Sequence, residues 1–292
     1  MIELWNEFVE KVRDFFRRRG YLEVSTPVLL EFPNLDPNIE PVRVEVKVRG
    51  ETRTMWLQTS PEYTMKKVLS RYRKHIFQIA KCFRNNEYSK LHRIEFHMLE
   101  WYRVGADYRY LIEEIKELVH SLLGFEEFQV MTVEEAFERF LSLPVPEDEL
   151  ELRSNMEACG YEVGEEDDWE TMFHRAYVEL GQKLKTEPPT FLTDFPERVS
   201  ALAKVRNRTA ERFEFFIKGV EIANGWTEET DPQEVRRRLE REARERNLPL
   251  DEEFVEAHTG MPECAGCSIG LDRLFMIYAG AESLDDVELF RK

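Results

Sequence analysis

Two long apolar runs separated by a polar loop are the strongest constraint on the fold. Residues 76–83 and 95–104 have the length and composition of buried strands, and the residues between them are mostly charged or polar. Residues 42–48 alternate between Val and a charged residue, which is the period-two pattern of a strand with one wet face. Residues 53–58 are its expected hairpin partner across Gly50. The chain is therefore expected to contain a β-sheet.

Helical periodicity and capping residues predict the remaining elements. In residues 2–19 apolar side chains recur at helical spacing, and Gly20 follows as a stop. Further helices are expected at residues 61–69, 107–123 and 271–279, after the Thr132 cap, and from the Asp231 cap to about residue 247. Residues 144–189 are acidic and helical, which we interpret as a small helical insertion in a single domain that covers residues 1–292.

The charge balance excludes some classes of protein. There are 58 Asp and Glu residues against 41 Lys and Arg residues, which gives a formal net charge of −17. A surface this negative repels a phosphate backbone, so extensive tRNA binding is disfavoured. No segment is long and apolar enough to span a bilayer, and the N-terminal residues are acidic, unlike a signal peptide. We expect a soluble, cytoplasmic protein with no membrane association.

Cys264 and Cys267 form a C-x-x-C pair among four cysteines. No second pair completes a zinc set, although His258 lies a little upstream. We interpret the two thiols as small buried residues on either side of a turn, and a labile metal or redox site is the alternative.

Two separated segments carry arginines in settings that suit phosphate. Arg84 stands at the end of a strand beside a loop that contains His92, and a planar guanidinium can grip two oxygens at once. Residues 266–270 are small and lead to Arg273 at a helix start, where a ligand can approach the backbone. Each feature alone is also common as a surface ion pair or a packing device. The functional interpretation rests on their occurrence together and in this order.

A third segment, between these two, is strand-like and acidic. Glu214 and Glu221 lie in the apolar run 213–225, and on one unbroken strand they would face opposite ways. A bulge near Gly219 would bring them together. Glu221 and Glu228 are expected to flank a glycine turn.

Together these segments resemble the three signature motifs of class II aminoacyl-tRNA synthetases, in their usual order. Residues 19–27 resemble motif 1, residues 83–102 motif 2 and residues 266–273 motif 3, and residues 59–63, 98–102 and 221–225 are similar to the lysyl type. The resemblance covers nearly the whole chain. It implies the α+β catalytic domain of that class, an antiparallel sheet flanked by helices, and a homodimer formed through motif 1.

The chain also resembles the elongation factor P–lysine ligases. These keep the synthetase catalytic domain, lack the anticodon-binding domain and aminoacylate a lysine of elongation factor P. Residues 191–205 and 261–266 are similar to that family as well. A full lysyl-tRNA synthetase has an N-terminal oligonucleotide-binding barrel of about 100 residues or more. Motif 1 begins almost at Met1 here, so we expect the barrel to be absent.

The resemblance implies ATP and Mg²⁺ as cofactors. Arg84 is expected to bind the amino acid carboxylate and the α-phosphate, and Arg273 the γ-phosphate, as the two catalytic residues. The further ATP-binding residues implied are Asn86, His92, Phe96, Glu214, Glu221 and Gly270, with Glu214 and Glu221 as the Mg²⁺ ligands. The carboxylate is expected to attack the α-phosphorus in line, giving an aminoacyl-adenylate and releasing pyrophosphate. It needs no general base, because it is already ionised at neutral pH.

The substrate implied is lysine or (R)-β-lysine. The amino-acid-binding residues implied are Ser60, Glu62, Arg84, Glu100, Tyr102, Asn224, Glu228 and Ser268. Glu62 is expected to meet the α-amino group. Two carboxylates and a phenol, from Glu100, Glu228 and Tyr102, can saturate the three donors of the ε-ammonium.

Two positions depart from the synthetase pattern. Asn86 stands where motif 2 has a Glu that contacts the adenine amino group, and the spacing from Arg84 to His92 leaves Glu87 out of register. We expect adenine binding to be weakened rather than lost. Ser268 stands where lysyl-tRNA synthetases have Gly and the ligases have a small residue, usually Ala, and this favours β-lysine.

Two alternatives to the ligase function stay open. One is an adenylate-forming enzyme with another acceptor, such as tRNA or a small molecule. The other is a catalytically silent paralogue that acts as a binding module.

Overall fold

The structure, a computed structural model, describes residues 1–289. Its strands are β1 (Leu22–Glu23), β2 (Leu29–Leu30), β3 (Arg43–Val48), β4 (Glu51–Leu57), β5 (Ile76–Phe83), β6 (Glu95–Val104), β7 (Gln129–Thr132), β8 (Thr190–Pro196), β9 (Val205–Arg206), β10 (Thr209–Ile217), β11 (Val220–Thr227) and β12 (Cys264–Gly270). Its α-helices are α1 (Ile2–Arg18), α2 (Glu62–Tyr72), α3 (Tyr108–Leu123), α4 (Val133–Leu141), α5 (Glu149–Ala158), α6 (Trp169–Lys183), α7 (Pro232–Arg246), α8 (Glu252–Ala257) and α9 (Leu271–Tyr278). Within residues 1–289, no helix has both the length and the apolar character needed to cross a membrane.

Nine strands form the main sheet, in the order β1-β5-β6-β12-β11-β10-β8-β7, with β9 paired to β10. β2, β4 and β3 form a separate small sheet. The centre of the main sheet is antiparallel, while β1 with β5 and β7 with β8 are parallel pairs near its two edges. The expected α+β class is confirmed, and the sheet is mixed because of these edge pairs.

The main sheet has one apolar and one polar face. Leu99 and Trp101 of β6, together with Phe213 of β10, point into a core that α1, α3 and α9 cover. On the other face one row of directly paired residues crosses five strands: Gln78, Glu100, Ser268, Asn224 and Glu214. Polar groups are costly to bury without partners. A continuous polar row on a sheet therefore indicates a binding surface.

The capping signals in the sequence fix several helix starts. Asp107 caps α3, and its side chain accepts hydrogen bonds from the backbone of Arg109 and Tyr110. Thr132 and Glu135 form the reciprocal capping box of α4. Asp231 caps α7, with Pro232 at the first helical position. The helix predicted at residues 107–123 and the caps predicted at Thr132 and Asp231 are confirmed.

The acidic segment at residues 144–189 contains α5 and α6. These helices lie in the chain between α4 and β8. Their apolar side chains, including Trp169 and Phe173, join Phe137 of α4, Leu192 of β8 and Phe216 of β10 in a second core cluster. Leu192 pairs directly with Glu214, so the segment packs on the same face of the sheet as Glu214.

The prediction of one strand-like run at 213–225 is wrong. The chain turns back at Lys218 and Gly219, whose φ angles of 51° and 74° are both left-handed, so β10 and β11 form a tight hairpin. The glycine turn expected between Glu221 and Glu228 is also wrong, since Gly225 lies within β11. A Cβ at Gly225 would come within 2.7 Å of the Phe213 ring, so this glycine serves close strand packing.

Cys264 and Cys267 are both buried and unbonded to each other. They stand three residues apart on β12, so their side chains point to opposite faces of the sheet. The interpretation as small buried residues is confirmed, although they lie within a strand. No group of three metal-ligating side chains is found anywhere in residues 1–289.

Candidate active site

A cleft of about 550 Å³ opens on the polar face of the main sheet. Both expected catalytic arginines line this one cleft. The expected site residues that line it are Ser60, Glu62, Arg84, His92, Phe96, Glu100, Tyr102, Glu221, Asn224, Glu228, Ser268, Gly270 and Arg273. Asn86 and Glu214 are not part of the lining. The cleft thus brings together residues from α2, β6, β11, β12 and α9.

Arg84 follows β5 directly and is held at the cleft wall. Its Nε donates to the carbonyl of Thr59 at 3.3 Å, and its guanidinium carbon lies 5.1 Å from the centroid of the Phe96 ring. The nearest carboxylate, that of Glu87, is 3.9 Å from Nη1. The terminal nitrogens are therefore available to an anionic ligand.

Arg273 lies in the first turn of α9. Its Nε donates to the carbonyl of Leu91 at 3.0 Å, and its Nη1 donates to the carbonyl of Glu221 at 2.9 Å. These bonds tie α9 to the motif 2 loop and to β11. His92 lies nearby, and burial together with the charge of Arg273 lowers its pKa. His92 is therefore neutral at pH 7.

The acids expected to bind amino groups converge in the deepest part of the cleft. Glu62, Glu100 and Glu228 are each no more than 6% exposed, and the Tyr102 hydroxyl donates to Glu100 Oε1 at 2.7 Å. Burial raises the pKa of Glu228 to about 7. Burial, reinforced by the charge of Glu62, raises the pKa of Glu100 well above its ordinary value. An ammonium ligand would reverse both effects. We call Glu62, Glu100, Tyr102 and Glu228 the amine pocket.

Lys66 is a member of this region that the sequence reasoning missed. It lies one helical turn after Glu62 on α2, is completely buried, and forms ion pairs with Glu62 and Glu228. Burial would lower the pKa of Lys66, but the two carboxylates raise it above its ordinary value. Burial also raises the pKa of Glu62 in spite of Lys66. The available signal was the i, i+4 spacing of Glu62 and Lys66.

Glu214 and Glu221 share one face of the β10–β11 hairpin because of a β-bulge. Glu214 pairs with Asn224 and Phe216 pairs with Glu221, so Ile222 is the extra residue. The extra residue reverses the alternation of β11 and puts Glu221 on the side of Glu214. The expected bulge is therefore present, at Ile222 rather than near Gly219.

Glu214 lies behind the cleft lining and is held by two neighbours. Tyr177 of α6 donates to its Oε2 at 2.7 Å, and Arg212 donates to its Oε1 at 2.5 Å. Burial raises the pKa of Glu214 to about 7, and the charge of Glu221 adds to this shift. Two carboxylates that repel one another fit a divalent cation. Arg212, which also donates to Asn224 Oδ1 at 3.2 Å, is a second residue that the sequence reasoning missed.

Asn86 does not lie where the adenine contact was expected. Its side chain is exposed and donates to Glu40 Oε2 at 2.5 Å, and its backbone is left-handed with a φ of 60°. After this turn Glu87 lines the cleft instead. Glu87 therefore faces the cleft, whereas the Asn86 side chain faces away from it.

Ser268 and Gly266 of β12 form the floor beside the amine pocket. The Ser268 hydroxyl lies 3.5 Å from the carbonyl of Asn224. A Cβ at Gly266 would come within 2.4 Å of both Glu228 Oε1 and the Tyr102 ring. Gly266 is therefore required by the close approach of these two side chains.

Comparison with known proteins agrees with this geometry. The family model described as tRNA synthetases class II (D, K and N) matches residues 1–292. The chain belongs to this family. Class II synthetase-like ligases use ATP, generally with Mg²⁺.

Curated relatives show which members of the class II synthetase family this chain resembles. It is 60% identical over 291 residues, 100% of this chain and 99% of the relative, to the "Elongation factor P--(R)-beta-lysine ligase homolog" of Aquifex aeolicus. It is 36% and 38% identical to the elongation factor P–(R)-β-lysine ligases of Avibacterium paragallinarum and Photorhabdus laumondii, over 97% and 96% of this chain and 92% and 91% of theirs. Its family and these relatives make the protein an ATP-dependent ligase.

Proposed function

We propose that this protein activates (R)-β-lysine or lysine as an aminoacyl-adenylate and transfers it to a lysine side chain of elongation factor P. The observation that carries the proposal is the buried amine pocket in the same cleft as Arg84 and Arg273. The names of the ligase relatives supply the acceptor and the β-lysine isomer.

The amine pocket supports a diamino acid substrate. Charge-assisted hydrogen bonds to buried carboxylates contribute about 1.5–3 kcal/mol each. A substrate without an ammonium group would leave excess negative charge buried in the pocket, since Lys66 is one cation among three carboxyls. Ser60, Asn224 and Ser268 would bind the backbone end of the amino acid, next to Arg84.

The opposite part of the cleft supports ATP binding. Arg273, His92, Phe96 and Gly270 line the cleft together with Arg84. Glu214 and Glu221 would hold Mg²⁺, which neutralises phosphate charge when bound. The arginines would stabilise the charge that develops on the phosphates, and the cleft would align the carboxylate for attack. Asn86 would contribute to adenine binding only indirectly, through its bond with Glu40.

The acceptor and the assembly are also part of the proposal. The net charge of −17 disfavours a tRNA acceptor. We propose a single catalytic domain over residues 1–292 that acts as a homodimer, with α1 and the segment after it at the two-fold interface. An acceptor from the translation machinery would put the activity in the cytoplasm.

Pyrophosphate exchange tests the activation step. We expect ATP- and Mg²⁺-dependent exchange with lysine or with one β-lysine enantiomer. Arg84→Ala should reduce it at least 100-fold, because the variant loses the group that meets both the carboxylate and the α-phosphate. Arg244→Ala, which alters an exposed arginine of α7, serves as the control. Exchange that is absent with every lysine isomer would favour a binding module.

Transfer of labelled amino acid tests the acceptor. Purified elongation factor P and total tRNA are offered in parallel to the enzyme, ATP and the isomer that supports exchange. We expect label on elongation factor P and none on tRNA. Label on tRNA alone would refute the proposed acceptor while leaving the activation step intact.

A further inference from the structure

Lys66 sits behind the amine pocket rather than in it. Its Nζ is 2.5 Å from Glu62 Oε1 and 2.6 Å from Glu228 Oε2, and it lies 5.7 Å from the centroid of the Trp226 ring. The residue does not line the cleft. Its ammonium therefore holds the two acids from their rear and leaves the space in front of them to a ligand.

The charges of the pocket do not balance without a ligand. Glu62, Glu100 and Glu228 are three buried carboxylates, and in the described part of the chain Lys66 is the fully buried cation beside them. Tyr102 donates a hydrogen bond to Glu100 and Trp226 donates one to Glu228, but neither donor group carries a charge. When all three carboxyls are ionised, two negative charges are left for a ligand to neutralise.

The other titratable groups near Lys66 do not change this count. His258 is neutral at pH 7, because burial lowers its pKa to about 4, and its Nδ1 is hydrogen-bonded with the Phe254 carbonyl. Burial raises the pKa of the Cys264 thiol, so it is also neutral. Asp36 and Arg84 flank the pocket with opposite charges, and both are partly exposed to solvent.

One carboxylate oxygen shows where a ligand cation would bind. Glu228 Oε2 accepts from Lys66 and Trp226, whereas Glu228 Oε1 is buried without a hydrogen-bond partner. Gly266 packs against that oxygen, since a Cβ at this position would lie 2.4 Å from it. A buried carboxylate oxygen without a partner is costly. Because Glu228 lines the cleft, a substrate ammonium bound in the amine pocket could supply the missing donor.

We propose that Lys66 is a positioning residue that favours the ionised form of Glu62 and Glu228 and holds both carboxylates at the cleft, so that the pocket selects substrates with two ammonium groups. The inference rests on the proposed function, because it concerns the same pocket. Lysine and β-lysine both carry two ammonium groups near neutral pH. Norleucine carries one, and would leave a buried carboxylate without a counter-charge.

Calorimetric binding of lysine, (R)-β-lysine and norleucine between pH 6 and 8.5 tests this role. For Lys66→Met at pH 7 we expect diamine binding to weaken at least tenfold and the preference over norleucine to fall by a similar factor. Binding should recover as the pH rises, because the loss of the ammonium raises the pKa of both carboxyls. Lys67→Met, the next lysine on α2, pairs with Asp251 and Glu253 outside the pocket, and should stay within twofold of the native affinity.

A purely structural role for Lys66 predicts a different pattern. In that case Lys66→Met would weaken binding by the same factor at every pH and for every ligand, and this result would overturn the proposal. Unchanged diamine binding at pH 7 would overturn it as well.

The double variant Lys66→Met/Glu228→Gln keeps the test open if the single variant does not fold, since it removes both members of an ion pair. We expect its diamine affinity to be at least tenfold below native, with the gain in affinity shifted to higher pH, because Glu62 remains and has lost its counter-charge. A double variant with the native pH profile would contradict the proposal.

Diamine binding by the native protein without pyrophosphate exchange would refute the proposed function and not the role of Lys66. Native protein that binds neither diamine would refute both.

Discussion

Replacing Gly266 by alanine tests the position of the amine pocket directly. The added Cβ would lie 2.4 Å from Glu228 Oε1 and 2.4 Å from Tyr102 Cε1, whereas carbon atoms in contact are normally about 3.5–4.0 Å apart. Neither neighbour moves freely, because Glu228 is held by Lys66 and Trp226 and Tyr102 is bonded to Glu100. The substitution must therefore disturb the pocket itself.

The expected size of the effect follows from that overlap. Overpacking of a well-packed site costs about 1–3 kcal/mol, and each 1.4 kcal/mol is about a tenfold change in an equilibrium constant. We expect Gly266→Ala to lower the free energy of unfolding by about 1–3 kcal/mol. The Kd for lysine and (R)-β-lysine should rise by about 10- to 100-fold, because the displaced carboxylate is the one that faces the ligand.

Urea denaturation and calorimetric binding measure the two effects separately. Gly181→Ala is the matched control, since a Cβ at this position in α6 meets only the Phe216 ring, at 3.7 Å. It should keep native lysine affinity and gain about 0.5–1 kcal/mol of stability from its helical position. A folded Gly266→Ala protein with native lysine affinity would refute the assignment of this pocket to the substrate amine.

Three further predictions concern the same cleft. Burial raises the pKa of Glu228 to about 7, above its ordinary value. The contribution of its protonation to the free energy of unfolding is therefore complete below about pH 4.5 and is lost as the pH rises through 7. The ligand-free native protein should accordingly lose about 1.3 kcal/mol between pH 6 and 8 relative to Glu228→Gln, and an equal pH dependence in thermal melts would contradict this. Tyr177→Phe removes a hydrogen bond to Glu214 and should raise the KM for Mg·ATP several-fold, with the Kd for lysine unchanged. Ser268→Gly should shift kcat/KM toward α-lysine over (R)-β-lysine, and an unchanged ratio would remove Ser268 from isomer selection.

Elements with strong local signals could be predicted from the sequence. The strands at Ile76–Phe83 and Glu95–Val104 have the predicted bounds, since long apolar runs ended by charged loops leave little freedom of register. The caps at Thr132 and Asp231 were predicted because their side chains bond to their own helix. Such features depend on neighbours in the chain.

Features that depend on distant partners could not be predicted in the same way. Lys66 belongs to the pocket because it forms an ion pair with Glu228, which is distant from it in the sequence. Arg212 likewise gains its role from the pairing of β10 with β11, which brings Asn224 next to it. The outward turn of Asn86 depends on Glu40 from a separate segment. No local pattern encodes these contacts.

The polar row across the main sheet fixes the distance between the acidic residues at its two ends. Glu100 and Glu214 stand on β6 and β10, which are separated by three strand-to-strand steps through β12 and β11. Hydrogen-bonded strands lie about 4.8 Å apart, so the two carboxylates are anchored roughly 14 Å from each other on a scaffold that cannot stretch. A substrate that spans this row must therefore match a separation that the backbone hydrogen bonds of the sheet hold fixed.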